Sequence, residues 1–520
     1  MTEISRDIQQ AMATEADIII IGGGATGLGC AVDAAARGYK TVLIEKDDFG
    51  RGTSSKSTKL VHGGVRYLEQ GNVFLVQEAL LERGRLFKNA PHLVHDLTFI
   101  IPNYSVILGP YYLAGLKAYD LLSGQKSLGA SRWLSKSGVV KALPNIKKNG
   151  LKNGVLYHDG QFDDTRLLVS LLRTFHQHNG IALNYVKAIN FIKNKKDQII
   201  GVLCRDKATK EHFELMGKVV VNATGVYTER VQLMDDENID INVSPSQGSH
   251  IVVDGKYLGK ENAIMIPKTP DGRVLFAIPW HGKTLIGTTD TFTKKITNNP
   301  KVNPEEIDFM LDTAGRYMED KPTRKDILST FAGIRPLVSK GKILDTKSIS
   351  RSHGISVSDS GLVSITGGKW TTYRKMAEDT IDKAILSSEL KFNQCQTKEL
   401  VLDGGENIPE NIPEHLKVYG SNVDQIYKIE KENPALKEKL HPDLPYSFSQ
   451  VVYACKYEMA QTVEDVLSRR LRATFLDAKA AIASAPKVAE LMKGVLQKSD
   501  PWEKKEILGY QKVANSYVVK

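Results

Sequence analysis

The segment from Ala16 to Lys46, ADIIIIGGGATGLGCAVDAAARGYKTVLIEK, constrains the fold more than any other part of the chain. Consecutive isoleucines from Ile18 to Ile21 read as a strand buried on both faces, as in a parallel sheet. A glycine turn follows, then a helix of small residues from about Thr26 to Arg37, then a second strand, KTVLIE. Gly22, Gly24 and Gly27 form GxGxxG within this βαβ unit. Gly22 permits the tight turn, Gly24 lets the backbone approach a pyrophosphate, and Gly27 lets the helix pack closely on the sheet. The helix start, with Thr26, offers N–H groups and a partial positive charge to phosphates. Glu45 closes the second strand, where a carboxylate accepts from both ribose hydroxyls and repels a 2′-phosphate; Lys46 follows it. The unit predicts FAD or NAD rather than NADP.

Two later elements decide between them. After Glu45 comes DDFGRGTSSKSTKLVHGGVRYLEQG, in which Thr53, Ser54, Ser55 and Lys59, then His62, Gly63 and Gly64, lie close behind the first unit. Hydroxyls and amides there suit the pyrophosphate and ribityl chain of FAD; the plainer alternative is a polar surface loop. The strand VVVNATG brings Ala223, Thr224 and Gly225 back beneath the dinucleotide, and Val186 sits in the preceding strand region IALNYVKAINFI. A third glycine-rich element, GLVSITGGKWTTYRKMAEDTIDKAI, leads a strand into Gly368 and Lys369 and then a helix beginning around Thr371 to Tyr373. Thr371 or Thr372 is its expected N-cap. A helix start aimed at the flavin N1–C2=O edge stabilises the anionic reduced ring. Three such elements in this order point to FAD.

At 520 residues the chain exceeds what one hydrophobic core usually supports. The pattern predicts an α/β Rossmann-type FAD-binding domain from residues 16–75, 150–245 and 331–390. An antiparallel-sheet substrate domain is expected from residues 76–149 and 246–330, with the stretch from Phe74 to about Pro144 reading as helical and irregular. An all-α domain is expected over residues 395–520. Four dispersed cysteines, with no CxxC pair and no histidine cluster, argue against disulfides and metal and fit a reducing compartment. The N-terminus shows no secretory pattern, and no apolar run is long enough to span a bilayer. The nearest, Val106 to Leu122, is broken by Pro110, Lys117 and Asp120; it reads as a buried helix or as one lying in a membrane interface. A net charge of +10 suits nucleic acid, anionic membrane or anionic substrate alike.

Together, TSSKSTKLVHGGVRYLE, VVNATGVY, GSHIVV, FAIPW, IGTTD, GIRPL and GGKWTTYRKMAED resemble the quinone-linked, FAD-dependent glycerol-3-phosphate dehydrogenases of bacteria and mitochondria. With the βαβ unit they cover most of residues 16 to 385, and YACKYEMAQTVEDVLSRRLRATFLD resembles that family's helical cap. The resemblance implies a D-amino-acid-oxidase-like fold plus the cap. It also implies oxidation of glycerol 3-phosphate to dihydroxyacetone phosphate, with electrons passing to membrane quinone. Members are peripheral, so the expected location is cytoplasmic, on the inner face of the cytoplasmic membrane. Two departures stand out: Ser352 follows Arg351 where members commonly have Asp, and no DxDxDG-type calcium loop appears.

By the same resemblance, Arg66, Arg335 and Arg351 line the substrate pocket with Tyr67, and Lys369 lies beside the flavin. Arginine suits a phosphate clamp because its planar fork grips two oxygens. His250 is the leading candidate for the proton acceptor, with His62 competing and a bound water also open; a lone strand histidine is more often structural. Arg469, Arg470 and Arg472 read as interdomain salt bridges or membrane contacts rather than a phosphate site. Two other functions compete: a glycerol-3-phosphate oxidase using O₂, and an FAD-containing RNA-binding or RNA-modifying protein. The second needs basic residues interleaved with aromatics on one surface, and the lysines here are dispersed, so no nucleic acid is expected. The sequence leaves a homodimer open.

Overall fold

The computed structural model describes residues 3–69, 71–239, 243–269, 272–338 and 353–519. Two sheets organise it. An eight-stranded sheet has at its centre the parallel strands Val363–Gly367, His212–Asn222, Ala16–Ile21, Thr41–Ile44 and Ile181–Leu183. The four isoleucines alternate between two cores. Ile18 and Ile20 pack under the helix Ala25–Ala36, while Ile19 and Ile21 pack with Val186, Val202 and Val220 on the opposite face. Such alternation leaves no polar face, which is why the run is continuously apolar; each buried isoleucine contributes about 1.5–3 kcal/mol. The helix Ala25–Ala36 is itself covered by Asp164–Gln177 and Tyr373–Leu386. At Gly29 an added Cβ would lie 2.9 Å from the Tyr373 ring, so the small side chain sets that helix-to-helix distance.

The second sheet has ten strands and is mostly antiparallel. Its longest pairing joins Val243–Asp254 to Ile327–Val338. Three expectations change here. Residues 94–103, within the stretch read as helical, form a ten-residue strand paired along its length with Asn153–Phe162. That partner strand, and residues 331–338, belong to this larger sheet rather than to the dinucleotide unit where the pattern placed them. The cause is pairing: the strand Asn153–Phe162 is matched along its whole length by Val94–Asn103, and its other edge is filled by Leu60–Val61 and Arg132–Ser135, all strands of the larger sheet.

The C-terminal part is helical, with Val423–Glu432, Phe448–Tyr457, Ala478–Val495 and Asp500–Ala514 as its main helices. It does not stand apart. Val466, Leu467, Phe475 and Val488 share one core with Phe99, Tyr157 and Phe331 of the larger sheet. The helices Val73–Asn89 and Leu108–Ser123 lie side by side. Among the described residues no helix is long and apolar enough to cross a membrane.

Candidate active site in a cavity between the two sheets

A cavity of about 1290 Å³ runs between the sheets. That exceeds the roughly 300–1,000 Å³ of a drug-sized ligand site. At one end Glu45, Lys46, Val186, Tyr227 and Arg230 line it; Gly22, Gly24, Thr26, Thr53, Ser54, Ala223, Thr224 and Gly225 line the middle. The other end gathers His62, Gly64, Tyr67, His250, Arg335, Gly368, Lys369 and Thr371.

The middle fits a pyrophosphate. Gly22 has φ +112° and an added Cβ there would lie 2.7 Å from the Ala223 carbonyl oxygen. At Gly24, the helix N-cap, a Cβ would come within 3.0 Å of Ser54 Oγ, which already accepts the Ala25 N–H at 2.9 Å. The helix start is thus bare of side chains and furnished with a hydroxyl, as close phosphate approach requires. Glu45 accepts backbone N–H bonds from Gly23 at 2.7 Å and Asp47 at 2.9 Å, and each oxygen keeps a second acceptor site for a ribose hydroxyl. Burial raises its pKa, against the lowering effect of the Gly23 N–H. Lys46 lies 3.4 Å over the Tyr227 ring, and burial lowers its pKa.

At the far end, the Arg335 guanidinium donates to Thr288 Oγ1 at 3.1 Å and to the Thr289 carbonyl at 3.4 Å, and pairs with Asp290 at 3.4 Å. Gly248 makes room for it, since a Cβ there would lie 2.2 Å from Arg335 Nη2. Lys369 Nζ sits 4.2 Å over the Tyr67 ring. His250 Nε2 is 2.9 Å from Thr58 Oγ1 and its ring stacks on Phe331. Burial, then the neighbouring Lys59 and Arg335 cations, push its pKa well below 6.5. The His62 N–H donates to Thr371 Oγ1 at 3.1 Å, tying the two glycine-rich loops together.

Several expected contacts face elsewhere. Lys59 points away from the cavity into a fully buried pair with Asp164 at 2.6 Å; burial and Arg472 push its pKa down to about 7. Ser55 is turned inward, its carbonyl accepting from Lys59 and Arg472. The Gly63 N–H is used by Tyr119 Oη, and Gly27 and Thr372 are buried against the fold. Gly27 instead permits packing, because a Cβ would lie 1.8 Å from the Gly22 carbonyl oxygen. Thr372 is the N-cap of Tyr373–Leu386 but makes no side-chain cap bond. Arg66 lies on the short helix Val65–Glu69, its side chain outside the described atoms, and Arg351 and Ser352 fall outside the described residues. Arg469, Arg470 and Arg472 are buried, which excludes membrane contact; they pair with Asp48 and Asp164.

The pattern missed other cavity residues. Lys56 is buried there, donates to the Asn298 carbonyl, and is pushed down to about 7 by burial. Asn298 also bonds Asp47 and Tyr227, bridging the two domains from a loop with no periodicity to announce it. Tyr227 had a signal, since it stands two residues after the ATG turn.

The FAD-dependent oxidoreductase family matches residues 17–374, and the C-terminal domain of alpha-glycerophosphate oxidase matches residues 363–505. Mitochondrial glycerol-3-phosphate dehydrogenase of Mus musculus is 39% identical over 526 residues, covering 95% of this chain and 72% of that protein. This chain belongs to the FAD-dependent glycerol-3-phosphate dehydrogenase family. Its cofactor is FAD. A probable mitochondrial member from Dictyostelium discoideum is 38% identical, covering 98% of this chain and 85% of that protein. The structure of glycerol-3-phosphate dehydrogenase from Bacillus halodurans complexed with FAD superposes with TM-score 0.80 at 29% identity, covering 98% of this chain and 97% of that one. The family assignment agrees with the bare helix start at Gly24 and the hydroxyl of Ser54 beside it.

Proposed function

We propose that this chain oxidises sn-glycerol 3-phosphate to dihydroxyacetone phosphate and passes the electrons to a membrane quinone, docked on the cytoplasmic side of a membrane. The observation that carries the substrate is the held Arg335 guanidinium, at the same cavity end as Lys369, Tyr67 and both histidines. FAD supplies the hydride acceptor. Arg335 grips the phosphate through its fork, its direction fixed by Thr288, Thr289 and Asp290. Lys369 adds a second cation. His250 stays neutral through the physiological range and its imidazolium is disfavoured, which favours His62 as acceptor of the hydroxyl proton.

The quinone reading rests on apolar surface. Leu75, Phe99, Tyr157, Met265 and Phe276 line part of the same cavity, a wall with no partner in a small polar alcohol. Leu75 sits in the first turn of Val73–Asn89, where Phe74 is 86% exposed. Beside it, Ile107 is 77% and Leu121 82% exposed at the two ends of the neighbouring helix. Large aliphatic groups so exposed mark an interaction surface. The match of residues 363–505 to an oxidase C-terminal domain keeps O₂ as the competing acceptor.

The deciding experiment mixes the yellow protein anaerobically with glycerol 3-phosphate and follows the visible flavin absorbance. Rapid bleaching that a quinone analogue reverses faster than air is the expected result. Reversal by air alone makes it an oxidase. Bleaching by other phosphorylated alcohols but not this one removes the substrate assignment.

A further inference from the structure

The backbone of the turn His62–Gly64 is held from behind by a buried side-chain relay. The Gly63 N–H donates to Tyr119 Oη at 2.8 Å, and Tyr119 Oη donates in turn to Asp159 Oδ2 at 2.8 Å. Asp159 Oδ1 accepts from Arg83 Nη1 at 2.8 Å and from the Gly160 N–H at 3.1 Å. Arg83 closes the relay on the helix end with bonds to Ser123 Oγ and the Lys126 carbonyl. Tyr119, Asp159 and Arg83 are all nearly inaccessible to solvent.

Three features separate this relay from ordinary core polarity. The turn it holds carries His62 and Gly64 into the cavity, and Asp159 itself lines that cavity. Gly63 admits no side chain: a Cβ would lie 2.4 Å from Tyr119 Oη and 2.5 Å from Leu80 Cδ2. The turn is also pinned on its other side, where the His62 N–H donates to Thr371 Oγ1 in the loop after Lys369. The turn therefore has no slack in either direction. Burial, reinforced by the Asp159 charge, raises the Tyr119 pKa well above 10, so the hydroxyl keeps its proton and stays a donor to Asp159.

Tyr119 and Arg83 also sit on the two helices that carry the exposed apolar groups. Leu108–Ser123 exposes Leu108, Tyr111 and Leu121 while burying Leu116 and Tyr119; Val73–Asn89 exposes Phe74 and Leu81 while burying Arg83. The apolar surface and the active-site turn are two sides of one packed unit.

We propose that Tyr119 is a positioning residue: through Gly63 it fixes where the His62–Gly64 turn meets the flavin ring. The proposal rests on the flavin ring lying at the Lys369 end of the cavity, as the proposed function requires, but not on which alcohol is oxidised.

The test is Tyr119→Phe in the full-length, FAD-loaded protein. It removes one hydroxyl, leaving the buried Gly63 N–H without its acceptor and Asp159 Oδ2 without the Tyr119 donor. The visible absorbance and circular dichroism of the bound flavin should change, and kcat should fall by about tenfold while KM changes little, the size one unsatisfied buried group allows. Leu116→Ala is the control, since it loosens the same helix without touching the relay. It should lower Tm and leave the flavin spectrum alone. If Tyr119→Phe lowers Tm as the control does, with spectrum and kcat per bound flavin unchanged, the proposal is overturned. Should Tyr119→Phe not fold, Asp159→Asn carries the test. It keeps the volume but removes the charge on which Tyr119 and Arg83 converge, and an unshifted flavin spectrum there also overturns the proposal. Because the spectrum is read without substrate, a wrong substrate assignment leaves it interpretable.

Discussion

Arg470 grips Asp48 through two guanidinium nitrogens, at 2.7 and 2.9 Å, and neither side chain reaches solvent. Arg469 reaches the same carboxylate, and Arg472 donates to the Ser55 carbonyl at 2.8 Å. The loop that carries these anchors presents Arg51, Thr53, Ser54 and Lys56 to the cavity. Arg51 does both, facing the cavity and pairing with Glu464 of the C-terminal segment at 3.1 Å. That segment is π-helical over Asp465–Arg470, and Arg472 has φ +65°, so the chain adopts uncommon backbone to aim these arginines. The helical cap is in this sense the back wall of the cofactor site.

The arginines hold Asp48 down from its ordinary 3.8 to about 2, against the upward push of burial. A carboxylate so depressed stabilises the fold above its ordinary pKa, and that contribution is lost as the pH falls towards about 2. Asp48→Asn should therefore flatten the acid limb of stability between those values. At neutral pH it strands buried guanidiniums, costing about 3–5 kcal/mol and loosening FAD. Thermal unfolding against pH, with flavin release followed by fluorescence, checks both effects. An Asp48→Asn protein as stable as its parent at neutral pH would show that the pair contributes nothing.

The two glycines of the fingerprint should respond unequally. Gly27→Ala drives a methyl to 1.8 Å from a backbone carbonyl that has nowhere to go, whereas Gly24→Ala meets a movable hydroxyl at 3.0 Å. Gly27→Ala should purify without flavin or fail to fold. Gly24→Ala should fold and hold FAD more weakly. The ratio of flavin to protein after gel filtration decides, and equal retention in the two variants contradicts the geometry.

Arg335→Lys keeps the charge and loses the fork. Loss of charge-assisted bonds worth about 1.5–3 kcal/mol predicts a fall of roughly 10–100-fold in kcat/KM for glycerol 3-phosphate. Bleaching kinetics over a range of substrate concentration measure it. Parent-like kcat/KM would mean that the phosphate is held elsewhere.

The dinucleotide unit was legible because its information is local: glycines, a buried strand and an acidic residue lie within one short segment. Lys59, Ser55 and Gly63 were misread for the opposite reason. Composition marks the loop as polar, but which residues turn back is set by distant partners. Asp164 lies 105 residues from Lys59, and Arg472 lies 417 from Ser55. The strand Val94–Asn103 was hidden because it is exposed at its start and buried on both faces at its end, so no period-two alternation survives. Nothing in the stretch Val106 to Leu122 sets Tyr119 apart; only its contact with Gly63 distinguishes it.

His250 gives a prediction about pH. Its pKa is held well below 6.5, so its protonation makes no limb in kcat/KM near neutrality. Any limb found near neutrality should therefore persist in His250→Asn. A neutral limb abolished by His250→Asn would restore that residue as the proton acceptor.

The apolar helices bear on the electron acceptor. Phe74, Ile107 and Leu121 are too exposed to contribute to folding, so Phe74→Ser with Leu121→Ser should leave Tm nearly unchanged. If these groups seat the protein on a bilayer, each buries apolar area there worth about 1.5–3 kcal/mol, and the double variant should lose most of its binding to lipid vesicles in a sedimentation assay. Anaerobic bleaching by substrate should survive, because the proposed function puts the substrate at the Arg335 end of the cavity. Reoxidation by a quinone dissolved in the vesicles should slow, while reoxidation by a water-soluble analogue should not. Undiminished vesicle binding would move the membrane face elsewhere on the molecule, and slowed reoxidation by both acceptors would mean that the helices serve the cavity rather than the bilayer.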